Sequence, residues 1–485
     1  MRNGYGGAVG RGDQLRCRID SRVSGKPNPC NDRSRHDGPQ PLNSEALMIH
    51  HGKFSLFVFT AFVFMPVLAA CPAPAAGISW RPALPRIPHR TFNITRYGAA
   101  PNASQPATAA IARALKACGH AGGGTVVIPK GTFISGPIRL HSGTNLHLNH
   151  GAVLLMQSYG RYPESQGRYA DFISADGAHD IAITGHGTIN GRGAAWWAAY
   201  RRRPDGTIPQ LPHRPQMIAM NNVHRLLIRN VRLVNPANTH ISIRNACKHV
   251  TIRGILIHAP RYSPNTDGMD ICGRDILITH CRISDGDDCI AIGSGGRSQR
   301  HHFQCRHIVI SHCIFGYGHG LSIGSFTRGG IADVLVNHCT FHNTTAGIRL
   351  KSNQGRGGRV ENLTYENLTM HHVRWPVFIS SYYPHAPKQP WLNRTQTMNQ
   401  FTPRWNNIRI INFVAHGSKV AARIIGLAQA PIRNLVLQNV RITSLTGMTI
   451  IDAANVRIIH CTIAAVRGKP LIIHHATITV TDLQK

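Results

Sequence analysis

Acid is what this chain has least of. Its 485 residues carry 21 Asp and Glu against 54 Lys and Arg, a formal charge of +33. The imbalance is not confined to one end, since 42 basic and 16 acidic residues follow residue 90. A field of this sign disfavours cationic ligands and favours polyanions: nucleic acid, anionic lipid or acidic polysaccharide. The basic residues are spread along the chain, and no helix-turn-helix, zinc-finger or RNP-like spacing occurs, so nucleic acid is not an expected partner. General adaptation to acidic surroundings is the reading that needs no polyanion at all.

Paired cysteine motifs are also missing. None of the 12 cysteines forms a CxxC, which leaves zinc-ribbon and thioredoxin-like readings without support. Nine cysteines follow residue 90. That is an odd number, so at least one thiol stays free. One or two disulfides are expected in an oxidising compartment, with the remaining thiols acting as small buried apolar groups.

Long apolar runs are scarce, and the exception lies near the start. Residues 54–70 are uncharged and rich in Phe, Val and Leu, and Lys53 and two histidines precede them. That order is the layout of a signal peptide. The sequence Leu68-Ala69-Ala70-Cys71 resembles a bacterial lipobox that would leave Cys71 lipidated, Ala73-Pro74-Ala75 offers ordinary cleavage, and an uncleaved anchor is the third route. All three place the rest of the chain outside the cytoplasm, secreted, periplasmic or anchored to the outer membrane. No other membrane association is expected. Residues 1–47 read as a mis-called or disordered extension, 48–76 as the export segment, 77–90 as a Pro-rich linker and 91–485 as the main folded domain.

Helical periodicity is nearly absent from that domain. What recurs is a short Val/Ile/Thr-rich strand, then Asn or Cys, then another apolar pair. Such units begin at Ile181, Leu226, Val250, Ile276, Ile308, Val334, Asn362, Leu435 and Val456. From 226 to 362 the starts lie 24, 26, 32, 26 and 28 residues apart. The wider intervals, 45 residues before 226 and 73 after 362, have room for extra turns, one of them marked by Ile408. Strands at this period without intervening helices exclude βαβ units and predict an all-β fold, a single-stranded parallel β-helix or solenoid. Like residues should then stack in ladders, and Cys281, Cys313, Cys339 and Cys461 occupy one such step. The amphipathic stretch 108–118 is expected to be a helix capping the N-terminal end.

Scarce acid is concentrated where it occurs. Asp267, Asp270, Asp285, Asp287 and Asp288 crowd between positions 267 and 288. Asn265-Thr266-Asp267-Gly268 and Asp285-Gly286-Asp287-Asp288 lie about one coil apart and should be neighbours. Packed carboxyls raise each other's pKa, which suits a glycosidase that needs one protonated acid beside ionised bases. Taken alone, the cluster fits a calcium site or Asp-Gly turn chemistry as well. The next coils add weight. Gly318-His319-Gly320 lies 31 residues beyond Asp288, and Arg349-Leu350-Lys351 lies 30 beyond His319. Arg349 and Lys351 are two apart, so on a strand they share a face and suit a sugar carboxylate.

These motifs, in this order, resemble the family-28 glycoside hydrolases, the polygalacturonases. Residues 122–133 and 187–197 also look like that family, and the resemblance runs from about 91 to 480. It implies a right-handed parallel β-helix, a monomer without cofactor or metal, and hydrolysis of α-1,4-galacturonide bonds with inversion. Asp287 would be the general acid, a role that spacing alone does not assign. Asp267 and Asp288 would activate water, with inverting carboxyls expected ~6.5–9.5 Å apart. His319 would support the acid, Arg349 and Lys351 would hold the substrate carboxylate, and Asn265 and Tyr383 would contact the sugar. Leu350 replaces the usual Ile, and Gly293 stands where members often carry Lys or Asn. Rhamnogalacturonan hydrolases tend to lack His319 and Lys351, so their retention favours homogalacturonan. The alternatives are a β-helical pectate lyase, a rhamnogalacturonan- or xylogalacturonan-type hydrolase, and a non-catalytic pectin-binding β-helix.

Overall fold

The computed structural model describes residues 81–201, 207, 209–295, 303–393 and 395–484. The extension, the export segment with Cys71, and the start of the Pro-rich stretch lie outside the described residues. Arg81 to Arg90 do not hang free: Pro82 is buried, and the Arg86 amide donates to Asp180 Oδ1 at 2.8 Å.

Short alternating segments form strands because one face can be buried while the other stays polar. In Thr144–Leu148 the residues Thr144, Leu146 and Leu148 are buried and Asn145 and His147 are not. Each such segment pairs in parallel with its counterparts one coil before and one coil after. Ile181 faces Leu226, and the same row continues through Val250, Ile276, Ile308, Val334, Leu363, Ile408 and Leu435. Among the named strands, the one antiparallel pairing is Glu164–Ser165 with Arg168–Tyr169. The architecture is an all-β parallel β-helix.

Two sequence expectations need adjusting. The unit placed at Asn362 is in register one residue later, at Leu363. The interval before Leu226 holds no extra coil, because Ile181 pairs with Leu226 directly. The surplus is an excursion that leaves the coil and carries a short helix. The longer interval holds the coil at Ile408, as expected.

Helix α1 (Thr108–His120) forms from an Ala-rich stretch, and its Ala110, Ile111, Ala114, Leu115 and Cys118 join the core. Helix α2 (Gly193–Ala199) buries Trp196 and Trp197. The core is a continuous column of Ile, Leu and Val, with Phe315 and Phe341 stacked at 4.5 Å. All nine described cysteines are free, so the expected disulfides are not formed there. The ladder explains why. Cys281, Cys313 and Cys339 occupy successive coils, each thiol over a carbonyl one coil back: Ile252 at 3.8 Å, Ile278 at 4.0 Å and Ile310 at 3.9 Å.

The corners need residues that tolerate left-handed backbone, and Asn and His supply them. Asn412 donates to Asn367 at 3.1 Å and Asn439 to Asn412 at 3.0 Å, and all three have φ between 52° and 55°. His280, His312 and His338 do the same elsewhere, with rings stacked at 5.0 and 5.1 Å.

One sheet carries the polar cluster. Its strands are β1 (Ile173–Asp176), β2 (Ile218–Asn221), β3 (Ile241–Arg253), β4 (Met269–Thr279), β5 (Ile290–Ser294), β6 (Leu321–Thr327), β7 (Ala346–Lys351), β8 (Trp375–Ser380) and β9 (Arg404–Ile425). Along it, Ser242, Asp270, Ala291, Ser322, Arg349, Phe378 and Arg423 form one row, a coil apart. Among the described residues no helix is long and apolar enough to cross a membrane.

Candidate active site

The two acidic motifs are turns leading into β4 and β5. The Gly268 amide donates to the Asp288 carbonyl at 2.9 Å and the Met269 amide to that of Cys289 at 3.1 Å. The turns therefore lie side by side on neighbouring coils, as their spacing predicts. The next coil follows the same rule, with the His319 amide on the Asp287 carbonyl at 2.6 Å. Two glycines make this stacking feasible. A Cβ on Gly286 would collide with the Ser263 carbonyl, and one on Gly318, at φ 115°, would lie 2.5 Å from Asp285 Oδ1.

Asp287 and Asp288, adjacent in sequence, point to different partners. Asp287 Oδ1 lies 3.0 Å from His319 Nδ1, and Oδ2 accepts from Asn265 Nδ2 at 3.3 Å. Asp288 is buried. Its Oδ1 accepts from Arg349 Nη1 at 2.5 Å and Ser322 Oγ at 2.9 Å, and its Oδ2 accepts from Lys351 Nζ at 2.5 Å. Arg349 and Lys351 thus share a face of β7, as expected, but they are already engaged by a carboxylate of the chain. The Tyr383 ring packs on both cations, 5.7 Å from the Arg349 guanidinium and 5.1 Å from Lys351 Nζ.

Electrostatics divide the carboxyls into two kinds. Burial pushes Asp288 up, but Lys351 and Arg349 outweigh it and hold the group below the ordinary carboxylate range. Asp267 makes no such ion pair among the described residues, and the Arg214 charge that acts on it is outweighed. Burial raises it well above its usual value, and the charges of Asp270, Asp287, Asp288 and Asp285 add to the effect. Asp270 is pushed up to about 6, mainly by burial and against a hydrogen bond from Thr239. Asp285 is buried beneath the turn and also raised by burial; its Oδ2 has no hydrogen-bond partner among the described residues. The cluster therefore combines one carboxylate whose partners favour the anion with three whose burial favours the protonated form.

Asp287, Asp288 and His319 offer donor atoms within 4.8 Å of one another, the set that could hold a metal ion. A cation there would face Lys351 and Arg349, each 2.5 Å from Asp288, and positive charge already fills the role an ion would play. At their nearest oxygens Asp287 and Asp288 come within 4.8 Å, closer than the ~6.5–9.5 Å expected of an inverting pair. These two residues share one turn and both lean toward His319, so their spacing does not report the stereochemical course.

One neighbour escaped the sequence reading. Arg214 is 9% exposed, donates to the carbonyls of Ala237 at 2.8 Å and Pro264 at 2.9 Å, and reaches Asn265 Oδ1 at 3.3 Å. It orients the amide whose other end meets Asp287. Nothing in the sequence marked it, because it sits in the excursion before β2, outside the repeat.

The Glycosyl hydrolases family 28 model matches residues 118–465. An endo-polygalacturonase of Pectobacterium carotovorum is 31% identical over 366 residues, covering 70% of this chain and 85% of that protein. A probable polygalacturonase of Arabidopsis thaliana is 30% identical over 60% of this chain, which spans only 61% of that relative's length. An exopolygalacturonase of Thermotoga maritima superposes with a TM-score of 0.64 at 22% identity, over 81% of this chain and 94% of that one, a likeness of fold.

Proposed function

The chain belongs to glycosyl hydrolases family 28, and on that premise we propose that it is an exported, inverting hydrolase of α-1,4-galacturonide bonds in polygalacturonate and pectin. In this reading Asp287 protonates the departing glycosidic oxygen while Asp288 and Asp267 activate the attacking water, Asp288 as the ionised base and Asp267 as the hydrogen-bonding group that orients it. Asp288, held as an anion, suits a base. Asp287 lies beside His319 at 3.0 Å and is half-exposed, within reach of a substrate oxygen. A proton leaves Asp287 as another arrives from water, so the crowded cluster never has to hold an additional charge. Arg349, Lys351, Asn265 and Tyr383 contact the uronate.

The observation that carries this reading is the cation pair fixed against one of two neighbouring carboxylates. That arrangement suits an acidic sugar and a metal-free base. The chain should release new reducing ends from polygalacturonate without ultraviolet absorbance. Asp287→Asn should lower that rate by ~10²–10⁴-fold. Absorbance near 235 nm that disappears with chelator would instead identify elimination. Monomer as the sole early product would make the enzyme exo-acting, and a ladder of oligomers endo-acting.

The same reading extends to the rest of the chain. Residues 48–76 direct export, with Cys71 as the lipid attachment point if the lipobox is used, and 91–485 work as a monomeric, right-handed catalytic β-helix. Helix α1 seals its N-terminal end, a role supported by its five buried apolar residues.

A further inference from the structure

Beyond Lys351 the cleft floor continues, and it is not featureless. Arg349, Phe378 and Arg423 are direct register partners on β7, β8 and β9. Arg423 therefore stands two rungs, roughly 10 Å, beyond Arg349. A cavity of about 370 Å³ lies against this row, lined by Arg349, Trp375, Phe378, Tyr383, His385 and Arg423. Nearer the carboxylates, arginines are tied down: Arg244 to Ser242 at 2.7 Å, Arg356 to Ser325 at 3.1 Å, Arg349 to Asp288. Arg423 is half-buried and makes no side-chain hydrogen bond or ion pair among the described residues. Trp375 and Phe378, 5.8 Å apart, supply an apolar wall next to it.

An unengaged guanidinium fork beside aromatic rings, in line with a catalytic cluster, has the chemistry to bind a carboxylate on a pyranose ring. A 1,4-linked pyranose chain advances by roughly one residue per coil, so a chain held at Arg349 passes over Phe378 and reaches Arg423. We propose that Arg423, with Phe378 and Trp375, forms a second uronate-binding subsite on the C-terminal side of the catalytic carboxylates. The cleft then grips a substrate at two carboxylates instead of one. Arg423 takes its carboxylate by capture, whereas Arg349 must share its own with Asp288. The proposal rests on the polygalacturonate reading, and it makes the far subsite the one that senses de-esterified pectin most directly.

The test is calorimetric binding of oligogalacturonates, dimer to hexamer, to the full chain carrying Asp287→Asn, alone and with Arg423→Gln or Arg423→Lys. Affinity should tighten once the oligomer is long enough to span both arginines. Arg423→Gln should abolish that gain, about tenfold or ~1.4 kcal/mol, and Arg423→Lys should restore part of it. Carboxyl-reduced oligomers should bind equally to the Gln variant and its parent. If Arg423→Gln binds every length as its parent does, or if no length binds at all, the subsite is wrong. If binding depends on Arg423 while the natural chain releases no reducing ends, the subsite stands and the hydrolase reading falls.

Discussion

Asp288 illustrates how much one neighbour can decide. Its burial alone would favour the neutral acid, and Lys351 and Arg349 reverse that preference. Removing one cation should move the balance back. With Lys351→Met, Asp288 holds its proton to higher pH, so the proposed base is lost earlier as pH falls. The acid limb of the kcat/KM profile should move upward in pH, a shift that a purely structural role for Lys351 would not produce. The clustering of the candidate site residues was legible in sequence because each motif recurs at coil spacing, which converts distance along the chain into adjacency in space. Their division of labour was not legible. That Lys351 and Arg349 engage Asp288, and that burial outweighs Arg214 at Asp267, depends on side-chain directions the spacing does not encode. Arg214 and Arg423 stayed hidden for a related reason. Arg214 lies in an excursion off the coil and Arg423 comes after another, so neither has a position the repeat spacing could predict.

At the scale of the element, a strand here has little identity apart from its neighbours. The row from Ile181 to Leu435 passes through nine coils, and each residue in it is buried by the ones above and below. Deleting one large rung should therefore be costly. Phe341 is fully buried and stacks on Phe315, and Phe341→Ala should destabilise the protein by ~3–5 kcal/mol, measured by guanidinium unfolding. The period was readable because Val, Ile and Thr clusters alternate with Asn, His and Gly at the corners. The 45-residue interval misled as to coil count, since residues that leave the solenoid as α2 carry no mark distinguishing them from another turn. The cysteines read correctly as a ladder. Expecting disulfides among the rest underestimated how well a small thiol fits over a backbone carbonyl.

Over the whole molecule, the excess of basic residues acts at longer range than any contact. A surface field attracts a polyanion in proportion to how much of it lies within a Debye length, ~10 Å at 0.1 M salt and ~3 Å at 1 M. KM for polygalacturonate should rise severalfold across that range, and KM for a trimer should rise less, because the short substrate samples little beyond the cleft. Equal salt sensitivity for both would mean that the field does not steer substrate. Adaptation to acidic surroundings would leave the polymer with no such advantage.

The ion pairs at Asp288 have one more consequence. Arg349 and Lys351 are never bare: the protein supplies its own tenant for them in the form of an aspartate. On the proposed function an arriving uronate must displace or share with that tenant, so recognition at this point is an exchange. A neutral ester brings nothing to exchange, and a free small anion brings charge without the sugar contacts that would hold it in place. On that reading a side chain of the chain itself already stands where the acid of the substrate would bind.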